Sequence, residues 1–174
     1  DSTGLGIVGG SFAISLRNVT IKIPSLIELT SGESYIKTVE DLSPYISRGD
    51  NVIINGNQFD VSYSGEYSPS VIPLSRVYNG PSTVNVVISK IQKTYLIPFN
   101  ASASELRNAL EYLPHCGRIR ASRQGSDSQG FKWKVTFLDN MGPQPEVLID
   151  SHYLLGSNAD EIKVTVLKRG MLPN

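Results

Sequence analysis

Asn51-Val52-Ile53-Ile54-Asn55-Gly56-Asn57-Gln58-Phe59-Asp60-Val61 holds two short alternating runs joined by Asn-Gly. Both turn residues tolerate the positive φ of a type I′ turn, which makes this the strongest hairpin signal in the chain. Val52 and Ile54 then share one face, as do Phe59 and Val61 on the facing strand. Further short runs flank it, Tyr35-Ile36-Lys37-Thr38-Val39 and Ser70-Val71-Ile72-Pro73-Leu74, each with β-forming residues between turn residues. Residues 31–81 therefore read as a small, strongly curved antiparallel sheet or barrel.

The pattern changes in residues 82–174. Thr83 to Ser89 reads as a strand and Lys93 to Phe99 as its hairpin partner. Ser102-Ala103-Ser104-Glu105 fits a capping box, and Leu106, Ala109, Leu110 and Leu113 form the apolar stripe of a helix over about 102–113. Pro114 and Gly117 end it. Arg118 to Ser122, Phe131 to Leu138, Glu146 to Ile149 and Glu161 to Leu167 read as strands, and Phe131, Trp133, Val135 and Phe137 share a face. The fold class is mainly β: a small antiparallel barrel or sandwich, followed by an α+β sheet domain with one helix.

Residues 1–30 hold two more runs, Phe12-Ala13-Ile14-Ser15-Leu16 and Val19-Thr20-Ile21-Lys22-Ile23. Neither has an obvious partner nearby, and Pro24 weakens the second as a central strand. The segment is thus a candidate strand donor to a neighbouring copy. Gly4-x-Gly6-x-x-Gly9 has the letters of a dinucleotide fingerprint, but no strand precedes it and no helix follows, so it reads as a lead-in.

Composition narrows the function classes. Sixteen basic residues balance sixteen acidic ones, which leaves no net charge to hold a nucleic acid or an anionic membrane. No apolar run is long enough for a membrane-spanning helix, so no direct membrane insertion is expected. Charged residues form 18% of the chain, while Ser, Thr, Asn and Gly are plentiful, a profile common in extracellular β proteins. The chain opens on Asp1, which fits either removal of a leader or excision from a larger protein. Cys116 is the only cysteine, ruling out an internal disulfide or a cysteine-based zinc site, and reads as a small buried apolar residue.

The run Ile97-Pro98-Phe99-Asn100-Ala101-Ser102-Ala103-Ser104-Glu105-Leu106 to Leu113, then Gly117-Arg118-Ile119-Arg120 and Trp133-Lys134-Val135-Thr136-Phe137, resembles a repeat module of large surface proteins of algae, oomycetes, other protists and some bacteria. The preceding block, Arg48-Gly49-Asp50-Asn51-Val52-Ile53-Ile54 with Phe59 to Ser62, Ile72 to Leu74 and Tyr78-Asn79-Gly80-Pro81, is similar to a barrel-like insert in the same architectures. The resemblance covers about half the chain for the repeat itself. It implies an extracellular repeat stacked in arrays, with no catalysis. The lone cysteine and the N-terminal strand pair depart from that pattern.

Asn18-Val19-Thr20 and Asn100-Ala101-Ser102 are N-glycosylation sequons, so Asn18 and Asn100 are candidate glycan carriers, against chance occurrence in a Ser/Thr-rich chain. Tyr63, Tyr67 and Tyr78, with the loops Tyr63 to Pro69 and Gln124 to Gly130, are candidate contact residues for glycan or protein. Arg48-Gly49-Asp50 matches the integrin-binding tripeptide, yet Gly-Asp before an alternating run is also how a strand begins after a turn. Asp127, Asp139, Asp150, Asp160 and Glu161 lack calcium-loop spacing and read as solvated turn residues. His115 and His152 are the only histidines and have no paired carboxylate motif, so no catalytic, cofactor or metal residue is assigned. His115 adjoins Cys116, but neighbours on a strand point apart. The expected function is an extracellular structural module, a subunit or repeat of a flagellar-hair-like (mastigoneme) filament or coat whose partners are its own copies or neighbouring repeats. The competing expectation is an adhesion or recognition module working through its loops.

Overall fold

A computed structural model describes residues 7–156 and 162–170, with the side chains of Ile7, Val8 and Asn18 outside the description. The chain is mainly β with a single helix among the described residues: β1 (Ile7–Leu29), β2 (Tyr35–Lys37), β3 (Asn51–Ile54), β4 (Asn57–Asp60), β5 (Val71–Pro73), β6 (Thr83–Lys93), β7 (Ile97–Pro98), α1 (Ala103–Glu111), β8 (Ile119–Ser126), β9 (Gly130–Phe137), β10 (Val147–Asp150) and β11 (Leu154–Gly156). No described helix is long and apolar enough to cross a membrane. Two compact units form, Thr20–Ile91 and Asp1–Val19 with Gln92–Asn174. The boundaries expected at residues 30 and 81 are thus displaced, because β1 and β6 are each single strands that run from one unit into the other.

Within Thr20–Ile91 the strands follow the order β4-β3-β6-β1-β2-β5. A bridge between Val61 and Leu74 joins the ends of that order, with Ser62 N donating to Pro73 O (2.8 Å) and Ser75 N to Asp60 O (2.8 Å). The sheet therefore curls back on itself as a small antiparallel barrel. The β3–β4 hairpin turns at Asn55 (φ 49°) and Gly56 (φ 75°), the left-handed pair that the Asn-Gly dipeptide supplies. Alternation fills the interior: Ile23, Ile27 and Leu29 of β1, Val52 and Ile54 of β3, Ile72 of β5 and Ile88 of β6 are buried in one cluster with Leu42 and Ile46. Each such aliphatic side chain contributes about 1.5–3 kcal/mol on burial.

In the other unit, the N-terminal part of β1 pairs antiparallel with β10 (Ala13↔Asp150 to Leu16↔Val147), with β11 (Gly10↔Leu154) and with β7 (Phe12↔Ile97). Its C-terminal part pairs with β2 at Glu28↔Lys37 and Leu29↔Ile36. The described part of residues 1–30 is therefore paired within its own chain and is not the unpaired strand expected there, while residues 1–6 of the expected donor lie outside the described residues. The partners were hidden because β7, β10 and β11 lie far away in sequence and are at most four residues long. Pro24 sits inside β1, beyond the point where β2 stops pairing.

Two other pairings differ from expectation. β7 pairs with β1 and not with β6, because the chain after Lys93 turns to Ile14, to which Thr94 donates its N–H (2.8 Å) and from which its Oγ1 accepts one (3.0 Å). The expected strand from Glu161 to Leu167 has no ladder partner among the described residues from Ile162 onward, and Glu161 lies outside them. The helix behaves as read. Ser102 caps it, accepting from Glu105 N (3.2 Å) while Glu105 Oε2 accepts from Ser102 N (2.7 Å), and Leu106, Ala109 and Leu110 are buried. They join Phe12, Ile14, Leu16, Ile97 and Cys116 in this unit's core. The β8–β9 hairpin lays Trp133, Val135 and Phe137 against that core.

Candidate interaction surfaces

The Arg48-Gly49-Asp50 turn is held to the barrel unit by hydrogen bonds through both charged side chains. Arg48 donates from Nη1 to Ser62 O (2.9 Å) and Ser64 O (3.1 Å), and from Nη2 to Gly65 O (2.7 Å). Its guanidinium also lies 5.3 Å from the centre of the Tyr67 ring. Gly49 has φ 78°, a conformation that favours glycine, and a Cβ there would push the Tyr63 hydroxyl aside. Asp50 accepts from Ser47 N (2.8 Å) and pairs with Lys90 (3.1 Å). An integrin-type contact needs both charged ends free. Here each is engaged in fastening loop to barrel.

The three tyrosines do not form an exposed set. Tyr78 is buried, packing 6.2 Å from Phe59 between ring centres and donating its hydroxyl to Pro81 O (3.2 Å), which overturns its reading as a contact residue. Tyr67 is half-buried and donates to Ile46 O, and burial, with the Asp50 charge in support, raises its hydroxyl pKa. Tyr63 alone is exposed, at 38%. An aromatic that follows a turn residue can as easily roof the barrel as face water, and alternation does not distinguish the two.

The second expected loop, Gln124 to Gly130, is shorter than read. Ladder pairing continues to Ser126↔Gly130, leaving Asp127, Ser128 and Gln129 as the turn. Of the acidic residues, Asp139 is held by Arg118 through both side chain (Nη2 to Oδ1 2.8 Å) and backbone (N to Oδ2 2.8 Å), and these hydrogen bonds lower its pKa. Asp150 pairs with Lys93 at 2.7 Å. Burial raises the Asp150 pKa, but the Lys93 hydrogen bond and charge outweigh it, so the carboxyl sits below its usual range. Asp127 is exposed, while Asp160 lies outside the described residues with Glu161. No group of His, Cys, Asp and Glu among the described residues is arranged to hold a metal.

His115 is exposed with φ 63°, beside a buried Cys116 whose thiol burial pushes up to about 11, the Glu111 charge adding to it. His152 is exposed and rests edge-on against Tyr153, 5.0 Å between ring centres. Asn100 is exposed at the start of the turn into α1, its carbonyl and that of Ala101 receiving Arg123 Nη1, with Trp133 Nε1 also donating to Ala101 O (3.0 Å). The Asn18 side chain lies outside the description.

Sequence reading missed two surfaces with exposed apolar side chains. On the barrel unit, a groove is lined by Lys22 to Glu28 of β1, Thr38-Val39-Glu40 and, from β6, Asn85 and Val87. Val39 is 94% exposed, Leu26 49% and Val87 45%. In the other unit Val164, Val166 and Leu167 are exposed in a segment outside any strand. The signal for the groove was the outward register of β1, legible only once inward Ile23, Ile27 and Leu29 were fixed. No protein-family model, curated protein or solved structure matches this chain.

Proposed function

We propose that this chain is a structural module of an extracellular filament or coat, a subunit or repeat of the flagellar-hair type, whose partners are copies of itself or adjoining repeats. The observation that carries the reading is exposed apolar surface on each unit: Val39, Val84 and Val87 on the barrel unit, and Leu155, Val166 and Leu167 on the other. Isolated exposed apolar side chains are ordinary, but Val39 and Val87 line one groove with Leu26, and an apolar groove wall is what a stacked array covers. The charged residues support the same reading, because Arg48, Lys90, Lys93 and Arg118 each fasten a loop or strand end to the fold. They stiffen a building block and perform no chemical step.

The recognition reading loses two of its three contact residues, Tyr67 and Tyr78, to the barrel's own packing. Exposed Asn100 suits a glycan, which would decorate the surface of an extracellular module. Electron microscopy of the purified material tests the proposal: rods or fibres of repeating units are expected, and isolated particles at every concentration would remove its basis.

A further inference from the structure

The segment 162–170 is anchored at its ends. Ile162 packs on the core that contains Phe12 and Leu110, and Gly170 lies so close to Gly142 that a Cβ would overlap the Gly142 carbonyl oxygen. Between these anchors, Lys163-Val164-Thr165-Val166-Leu167-Lys168-Arg169 is exposed throughout, and none of its backbone or side-chain groups makes a hydrogen bond or ion pair among the described residues. Its composition is nonetheless that of a strand, β-branched residues alternating with polar ones. Val164, Val166 and Leu167 are 49%, 68% and 75% exposed. A run with strand chemistry, no ladder and an apolar edge is what strand addition uses.

The barrel unit carries a groove of matching character. Leu26, Val39 and Val87 give it an apolar wall, and Glu28 and Glu40 line it against the single cation Lys22. The donor run carries Lys163, Lys168 and Arg169 and no carboxylate. Length agrees as well, since Lys22 to Glu28 and Ile162 to Lys168 each extend about 20 Å as strands.

We propose that residues 162–169 of one copy dock in the Leu26–Val39–Val87 groove of a second copy, with Val164 and Val166 on the apolar wall and the basic ends of the run against Glu28 and Glu40. The inference rests on the structural reading above and names its contact. Donor and acceptor are different surfaces of the chain, so the contact is heterologous, and a copy joined through one of them keeps the other for a further copy. Docking also takes the apolar side chains of run and groove out of solvent.

Sedimentation of the full chain across the micromolar range tests this. Val164→Asp with Val166→Asp should weaken association by about 100-fold or more, since both would bring a charge against an apolar wall. Val39→Asp should do the same from the acceptor side. All three positions are exposed, so circular dichroism and melting should remain those of the parent chain. In a charge-swap arm, Lys163→Glu, Lys168→Glu and Arg169→Glu in one chain, and Glu28→Lys and Glu40→Lys in another, should each abolish self-association. Mixed, the two should co-assemble in alternation, because the acidic run of the first meets the basic groove of the second, and the unchanged basic run of the second meets the unchanged acidic groove of the first. Association that is insensitive to these substitutions overturns this contact and leaves the structural reading standing. A chain that is monomeric at every concentration overturns both.

Discussion

Arg48 and Gly65 are joined by a 2.7 Å hydrogen bond from Nη2 to the carbonyl oxygen, across a separation of 17 residues. With the bonds to Ser62 O and Ser64 O it makes one guanidinium the fastener of the whole loop after β4. Arg48→Ala should destabilise the chain by about 1–3 kcal/mol, because three carbonyls lose a charged donor. Arg48→Lys should recover only part of this, since an ammonium lacks the planar fork. Urea unfolding measures both. Asp50→Glu should leave cell adhesion to the immobilised chain unchanged, because Asp50 is engaged by Ser47 N and Lys90.

Ser102 serves both the helix cap and the Asn100 sequon, so substitutions there separate the two. Ser102→Ala should lower stability by about 1 kcal/mol and remove any glycan on Asn100. Ser102→Thr should keep both within a few tenths of a kcal/mol. Asn100→Gln should remove the glycan and leave the cap intact. Mass spectrometry of chain secreted from a glycosylating host, alongside thermal melts, reads the outcomes.

Cys116 is buried with its thiol pushed up to about 11, so it carries almost no thiolate near neutral pH. A maleimide or disulfide reagent should label the folded chain negligibly and the urea-unfolded chain fully. Cys116→Ser should destabilise more than Cys116→Ala, because an unpartnered hydroxyl in an apolar core adds desolvation to lost packing.

Asp139, Asp150 and Glu105 have folded pKa values below their ordinary ones: Arg118 hydrogen bonds lower Asp139, Lys93 outweighs burial at Asp150, and the Ser102 backbone N–H lowers Glu105. A depressed folded pKa contributes stability that is fully present above the unfolded value and is lost as pH falls through the folded one. The urea midpoint should therefore hold steady down to about pH 5 and decline below it. Asp150→Asn should flatten part of that decline and lower the plateau. An unchanged acid slope in that variant would contradict the assignment.

Much of the local structure was legible in the residues. Asn55-Gly56 announced its hairpin through positive φ, and Ser102 with Glu105 announced α1 through the capping box, because both signals act over four residues or fewer. Long-range pairing was not legible. Phe12 to Leu16 reads as a half-buried strand by its alternation, yet both of its faces are buried, and its partners Ile97 and Val147 to Asp150 are 80 or more positions away in sequence, so nothing local to β1 encodes that register. Tyr78 shows the same limit at a single residue, since its phenol roofs Phe59 from a turn whose composition reads as exposed. At the other end, Val164 and Val166 have strand chemistry without a strand, a mismatch visible only when sequence and fold are set side by side.

Amide hydrogen exchange followed at low and high protein concentration tests these assignments most directly. Residues 11–16 should exchange slowly at both concentrations, being laddered within the chain, while 163–169 should exchange rapidly in dilute protein and become protected on assembly. Protection of 163–169 in the dilute monomer, or rapid exchange of 11–16, would contradict the account.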